Sequence, residues 1–164
     1  MKIIAIFILL LNFTNVFSQQ QEIIPVVDGK MIFTRIVKVD STSKDELYLR
    51  AKVWITQAFK SPNDVIQLDD KVSGQIFIKG IIYSWMSGKQ HTVYSTLKIY
   101  LKENKAMLEI TDFIINDGFT NCNLEVWNTN KKRFLGCLES VKDESNKLID
   151  SFTISINKAQ KKDW

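Results

Sequence analysis

Residues 43–80 read SKDELYLRAKVWITQAFKSPNDVIQLDDKVSGQIFIKG. Ser43 and Glu46 stand at the spacing of a capping box, in which hydroxyl and carboxylate each satisfy an orphan backbone N–H. Asp45 and Glu46 sit where the helix dipole favours negative charge. Leu47, Tyr48, Ala51, Trp54, Ile55, Ala58 and Phe59 follow helical spacing and fill an arc of about 140°, wide enough to cover a sheet. Arg50, Lys52, Thr56 and Gln57 lie off that arc, as do Leu49 and Val53. Ser61-Pro62 ends the helix, because a residue before proline avoids helical dihedrals. A short strand over residues 65–68, a turn from Asp69 to Gly74 and a longer strand over 75–85 complete the stretch.

The pattern continues outward as a meander. Ser87-Gly88-Lys89 turns into a strand at 92–102, and Glu103-Asn104-Lys105 turns into another at 106–116. Turns this short require antiparallel pairing. Upstream, residues 31–39 are rich in β-branched residues and read as a strand preceded by an Asp28-Gly29 turn. Residues 117–136 read as a long connection with a basic run, Lys131-Lys132-Arg133. A second helix is expected over 140–158, carried by Leu148, Ile149, Phe152 and Ile156, although 152–156 also alternates like a strand. The fold class is α+β: an antiparallel sheet with two helices on one face, in the order β-α-β-β-β-β-α.

Alternation within the strands separates two faces. Ile76, Ile78 and Ile82, then Val93, Leu97, Ile99 and Leu101, then Leu108, Ile110 and Ile114 form an aliphatic set that suits burial under helices. The opposite set mixes rings with polar groups, as a half-wet surface does. From it we take Phe77, Tyr83, Trp85, Tyr94, Lys98, Tyr100, Met107 and Phe113 as the candidate binding face. The alternative is that the 117–136 connection or the lead-in covers this face.

The chain begins with Lys2 and the apolar run 3–11, too short to span a bilayer, and Val16 and Ser18 suit a signal peptidase. Residues 1–18 are therefore expected to be a signal peptide, 19–30 a polar lead-in, 31–160 the domain and 161–164 a frayed tail. The alternative is an uncleaved anchor, against which Asn12, Thr14 and Asn15 break the run early. A periplasmic or secreted location follows, with no stable membrane anchor after cleavage. The mature chain carries 21 basic and 18 acidic side chains, too even a balance for a nucleic-acid face. Cys122 and Cys137 can oxidise outside the cytoplasm, where closing a loop of about 15 residues would stabilise by about 3 kcal/mol on chain-entropy grounds. Equally, they can be two thiols. No Cys-x-x-Cys stands in the chain, and His91 is its only histidine, so neither a redox motif nor a zinc spacing is present. No cofactor is expected.

The sequence resembles a domain-of-unknown-function family with a TATA-binding-protein-like fold, found in secreted proteins of the Bacteroidetes. The likeness lies in Lys44-Asp45-Glu46-Leu47-Tyr48, Arg50-Ala51, Trp54-Ile55, Phe59-Lys60, Val65-Ile66-Gln67, Asp69-Asp70, Gly74-Gln75-Ile76 and Lys79-Gly80, and it extends over residues 33–159. It implies a curved antiparallel sheet with helices packed on one side, and these motifs imply no chemistry. The cysteine pair is not part of the family pattern. The namesake fold bends DNA, but fold does not fix function, and an exported chain meets no DNA.

Three readings of function follow. One is a non-catalytic extracytoplasmic module that holds a peptide, a glycan or an envelope protein on the aromatic-polar face. Another is a small envelope hydrolase using Asp69, Asp70 or Asp112, although nothing in the sequence sets the carboxylate separation such chemistry needs. The third is a structural envelope subunit.

Overall fold

The computed structural model describes residues 24–86, 88–116, 118, 121–127 and 132–158, with the side chains of 127, 132 and 133 excepted. The expected signal peptide and the polar tail at 161–164 lie outside the described residues, as does Lys131. A small hairpin comes first, β1 (Val26–Val27) and β2 (Lys30–Met31), turned at Asp28 and Gly29 with φ of 49° and 76°. The stretch read as a polar lead-in thus packs on the domain from Ile24 onward, and Ile24 and Met31 are fully buried. Then follow β3 (Phe33–Lys38), α1 (Lys44–Ala58), the single-turn α2 (Pro62–Val65), β4 (Ile66–Asp70), β5 (Gln75–Met86), β6 (Lys89–Lys102) and β7 (Lys105–Asn116). The short strand β8 (Asn121–Asn123), a 3-10 turn (Leu124–Trp127) and α3 (Lys132–Asn157) complete the described chain.

The main sheet runs β3-β7-β6-β5-β4, every pair antiparallel, with β8 on the β7 edge beyond β3. Both long helices pack against one face of it, α3 along β5 and against α1, which in turn lies over β6 and β7. Between them lies the aliphatic core: Ile76, Ile78, Val93, Leu97, Ile99, Leu108 and Ile110 from the strands, Leu47, Trp54, Ile55, Phe152 and Ile156 from the helices. The indole of Trp54 stacks edge-on against Phe152 at 5.2 Å and donates its N–H to Ser151 Oγ at 2.9 Å, so the largest core ring leaves no polar atom unpaired.

The helix expected from residues 43–59 forms, with two refinements. Ser43 Oγ accepts the Glu46 amide at 3.2 Å, the first half of the capping box. The Glu46 carboxylate turns instead to Arg50 Nε at 3.1 Å. Arg50, placed off the apolar arc by its spacing, is nonetheless buried, because its guanidinium also donates to the Ile156 carbonyl at 2.7 Å and so caps the C-terminal turn of α3. Pro62, which ends α1, opens α2 at a position where its missing N–H costs nothing. Leu49 and Val53 remain exposed.

Two further expectations need correction. The second helix begins at Lys132, eight residues before 140, so the supposed connection holds β8, a 3-10 turn and the first five residues of α3. Its Leu138 and Val141 continue the apolar stripe that ends at Ile156, and residues 152–156 are helical. The second correction lies in β7. Tyr94 faces Ile114 but Thr96 faces Thr111, so Ser95 alone is matched by Asp112 and Phe113. That is a β-bulge, with Asp112 at φ 55°. Past it the alternation changes phase. Phe113 and Ile115 join the core, fully buried, and Ile114 turns to the other face. Phe113 packs edge-on against Phe33 at 5.9 Å and is therefore no part of an open surface.

Candidate functional site

With Phe113 removed, the other seven residues of the candidate face come together on the sheet surface away from the helices. The register sets them in rows: Gln75, Tyr100 and Met107; Phe77, Lys98 and Glu109; Ile81, Tyr94 and Ile114. Phe77 and Tyr100 meet edge to face at 5.8 Å. Lys79 Nζ stands 5.5 Å from the centroid of the Tyr94 ring, a cation–π distance. In the middle, Lys98 Nζ and Glu109 Oε1 pair across strands at 3.1 Å, both partly buried. Burial disfavours the Lys98 charge, but the hydrogen bond and charge of Glu109 outweigh it and hold the ammonium above its ordinary value. Toward the end of β5 the rings stand clear of neighbours: Tyr83 is 58% exposed, Trp85 57% and Ile81 before them 53%.

Among the described residues, neither predicted cover lies over this surface as a whole. β8 joins the β7 edge, and the β1–β2 hairpin reaches this side at Thr111 and Asp112; the Thr111 hydroxyl donates to the Met31 carbonyl at 3.3 Å. Lys30 Nζ and Asp112 Oδ1 close that corner at 3.1 Å.

The carboxylates considered for hydrolysis are engaged elsewhere. Asp69 faces the helix side, accepting from the Tyr48 hydroxyl and from Lys52 Nζ at 2.7 Å. Burial raises its pKa, but the hydrogen bonds from Lys52 and Tyr48 and the Lys52 charge outweigh this and hold it below the ordinary carboxylate range. Burial, then the hydrogen bond and charge of Asp69, push the Tyr48 phenol up to about 12. Asp70 accepts the Ser73 amide at 3.0 Å and shapes the turn before β5, and that amide is the main reason its pKa is lowered. Asp112 lies three strands away from this pair, at least about 14 Å at ordinary strand spacing. Glycosidases hold their carboxyl pair within about 5–9.5 Å. Among the described residues no cluster of three or more His, Cys, Asp or Glu side chains could hold a metal.

Cys122 and Cys137 are thiols, with no disulfide between them. Cys137 is buried on α3 with Sγ 3.3 Å from Ser84 Oγ. Burial raises its pKa, Ser84 partly offsets that, and the neighbouring Cys122 raises it further.

One feature beside the face escaped sequence reasoning. β4 pairs with β5 only from Gln75 to Ile78, so among the described residues no strand covers the outer edge of β5 beyond Ile78. There a groove of about 530 Å³ opens between that edge, the end of α1 at Ala58 and Phe59, and the α3 side chains Ser140, Asp143, Glu144, Lys147 and Leu148. A signal existed: a four-residue predicted strand cannot cover an eleven-residue neighbour.

Residues 33–116 match the family described as a domain of unknown function (DUF4468) with TBP-like fold. The chain belongs to this family. Two solved structures share the architecture. A TBP-like protein from Parabacteroides distasonis superposes with a TM-score of 0.69 at 15% identity, covering 85% of this chain and 100% of its own. A DUF4468 family protein from Bacteroides ovatus gives 0.66 at 16%, covering 86% and 94%. At such identities the likeness is one of fold, and both neighbours come from the phylum named by the sequence resemblance. No curated protein matches the chain. Family membership thus carries the α+β fold, with its antiparallel sheet and few helices, and assigns no specific function. Among the described residues no helix is long and apolar enough to cross a membrane.

Proposed function

We propose that this member of the family is an exported, non-catalytic binding module that holds a peptide, a glycan or an envelope protein on the open face of its sheet. The leading residues 1–18 support export to the periplasm or beyond. One observation carries the binding reading. The helices cover only one side of the sheet, and the other presents Phe77, Tyr83, Trp85, Tyr94 and Tyr100 around a charged Lys98–Glu109 centre. Contiguous aromatic surface with polar tips is what recognition surfaces are made of.

Affinity capture from an envelope fraction with the mature chain tests this. The double variant Tyr94→Ala/Tyr100→Ala is expected to keep the fold and lose the captured species. Capture that survives the double substitution would remove the face from consideration, and a collapse of stability would make the two rings part of the core. The mass of the chain from envelope extracts tests export, with Gln19 as the expected first residue and a retained Met1 as the result against it.

A further inference from the structure

We infer that the free edge of β5 takes up an extended, basic segment of another polypeptide as an added strand. This rests on the binding-module reading and names a partner class for it, at the edge of the sheet beside its open face. The Leu101 amide donates to the Gly74 carbonyl at 2.8 Å. Hydrogen-bonded and non-bonded pairs alternate along an antiparallel ladder, so the even-numbered residues of β5 bond to β6. Ile81 and Tyr83 therefore turn their N–H and C=O groups outward, and no backbone group among the described residues meets them. Among the described residues the edge is closed only at its far end, where Gly136 of α3 comes so near the Trp85 carbonyl that a Cβ there would lie at 3.3 Å.

Natural edge strands are blunted by prolines, bulges or charges. Here the exposed side chains along residues 81–85 are isoleucine, tyrosine and tryptophan. An added strand would place alternate residues beside these three on the open face. The residues between would point under α3, into the groove floored by Phe59 and Leu148 and rimmed by Asp143 and Glu144. Glu144 is paired with Lys147 at 2.6 Å, and Asp143 has no ion pair among the described residues. A long apolar stem ending in a cation, lysine or arginine, fits a floor and rim of this kind. A second copy of the chain fits less well. Pairing β5 with itself brings the same α3 wall to the groove and sets Asp143 and Glu144 against their own counterparts.

Amide NMR on the mature chain, titrated with a capped heptapeptide of alternating valine and arginine, tests the inference. Expected are shifts centred on the Ile81 and Tyr83 amides and a gain of about tenfold or more in their protection from hydrogen exchange. The same peptide with glutamate for arginine should bind about tenfold more weakly or not at all. Asp143→Lys, on an exposed helix surface, should abolish the preference for arginine without unfolding the chain. Tyr83→Pro, which removes one outward donor, should lose the peptide. Equal binding of both peptides, shifts centred on Tyr94 and Lys98, or no shift at millimolar peptide would each overturn it. So would protection of the Ile81 and Tyr83 amides that grows with protein concentration alone, since the edge then pairs copies. The Tyr94→Ala/Tyr100→Ala variant keeps the peptide if the edge is the site, which separates failure of the edge from failure of the open face.

Discussion

The two faces of this sheet come from the same strands and meet opposite fates. On the helix side most alternate residues are aliphatic, and α1 and α3 seal it from water. On the other side the same period places rings beside lysine, threonine and glutamate, and no helix among the described residues covers them. One is held together by area removed from water, at about 25 cal/mol per Å². The other keeps much of that area exposed and holds its charges in a partly dry centre. Stability therefore resides on the helix side, and the proposed recognition on the other face and at the β5 edge beside it.

The sharpest way to break this contrast uses two aromatic residues that alternation alone puts on the same side. Phe113→Ala should cost about 3–5 kcal/mol in urea unfolding, because the bulge has turned that ring into the core. Tyr83→Ala, on the open face, should stay within about 0.5 kcal/mol. Similar losses at both positions would mean the bulge is misplaced. Next in size is Arg50→Ala. It removes a buried charged donor from the Ile156 carbonyl and should cost about 1.5–3 kcal/mol, with the last turn of α3 losing exchange protection first. Gly80→Ala should cost about 1–3 kcal/mol by overpacking. Its Cβ would lie 2.5 Å from Leu97 Cδ1 and 2.9 Å from Ser95 Oγ, on the sealed face, whereas glycine leaves room for both.

The smallest effect is one of pH. The Asp69 pKa is lowered in the folded chain, so its contribution is present above the ordinary carboxylate value and is lost as pH falls below about 4. Tyr48 behaves in the opposite sense. Its phenol is raised to about 12, so its contribution holds below about pH 10 and is lost as pH rises toward 12. Unfolding free energies measured across both ranges should show Asp69→Asn flattening the acid limb and Tyr48→Phe the alkaline one. An acid limb unchanged in Asp69→Asn would place the responsible carboxylate elsewhere.

Much of this was legible before any coordinates. Residues 43–80 carry their own helix start, apolar arc and stop, and all three are local: a hydroxyl three residues from the amide it caps, a 3.6-residue period, a proline. The meander was legible for the same reason, since turns of two or three residues leave adjacent strands only antiparallel pairing. Seven of the eight residues assigned to the open face lie on it.

The remainder needed contacts between residues distant in sequence. Phe113 changed sides because Ser95, on another strand, is matched by two residues of β7, and a period of two carries no mark of such a slip. Arg50 is buried because the end of α3, over a hundred residues later, offers it a carbonyl. Asp69 beside its turn and Asp112 in its strand carry no mark of their separation, and only the strand order sets them at least about 14 Å apart. The free edge of β5 belongs to the same class. Strand lengths hinted at it, but an edge exists only once every neighbour has been placed. Local hydrogen bonding and periodicity thus determined the elements and most of their faces. Register, burial and the open edge were decided by the tertiary structure, because each depends on which distant groups arrive to share a strand, a charge or a cavity.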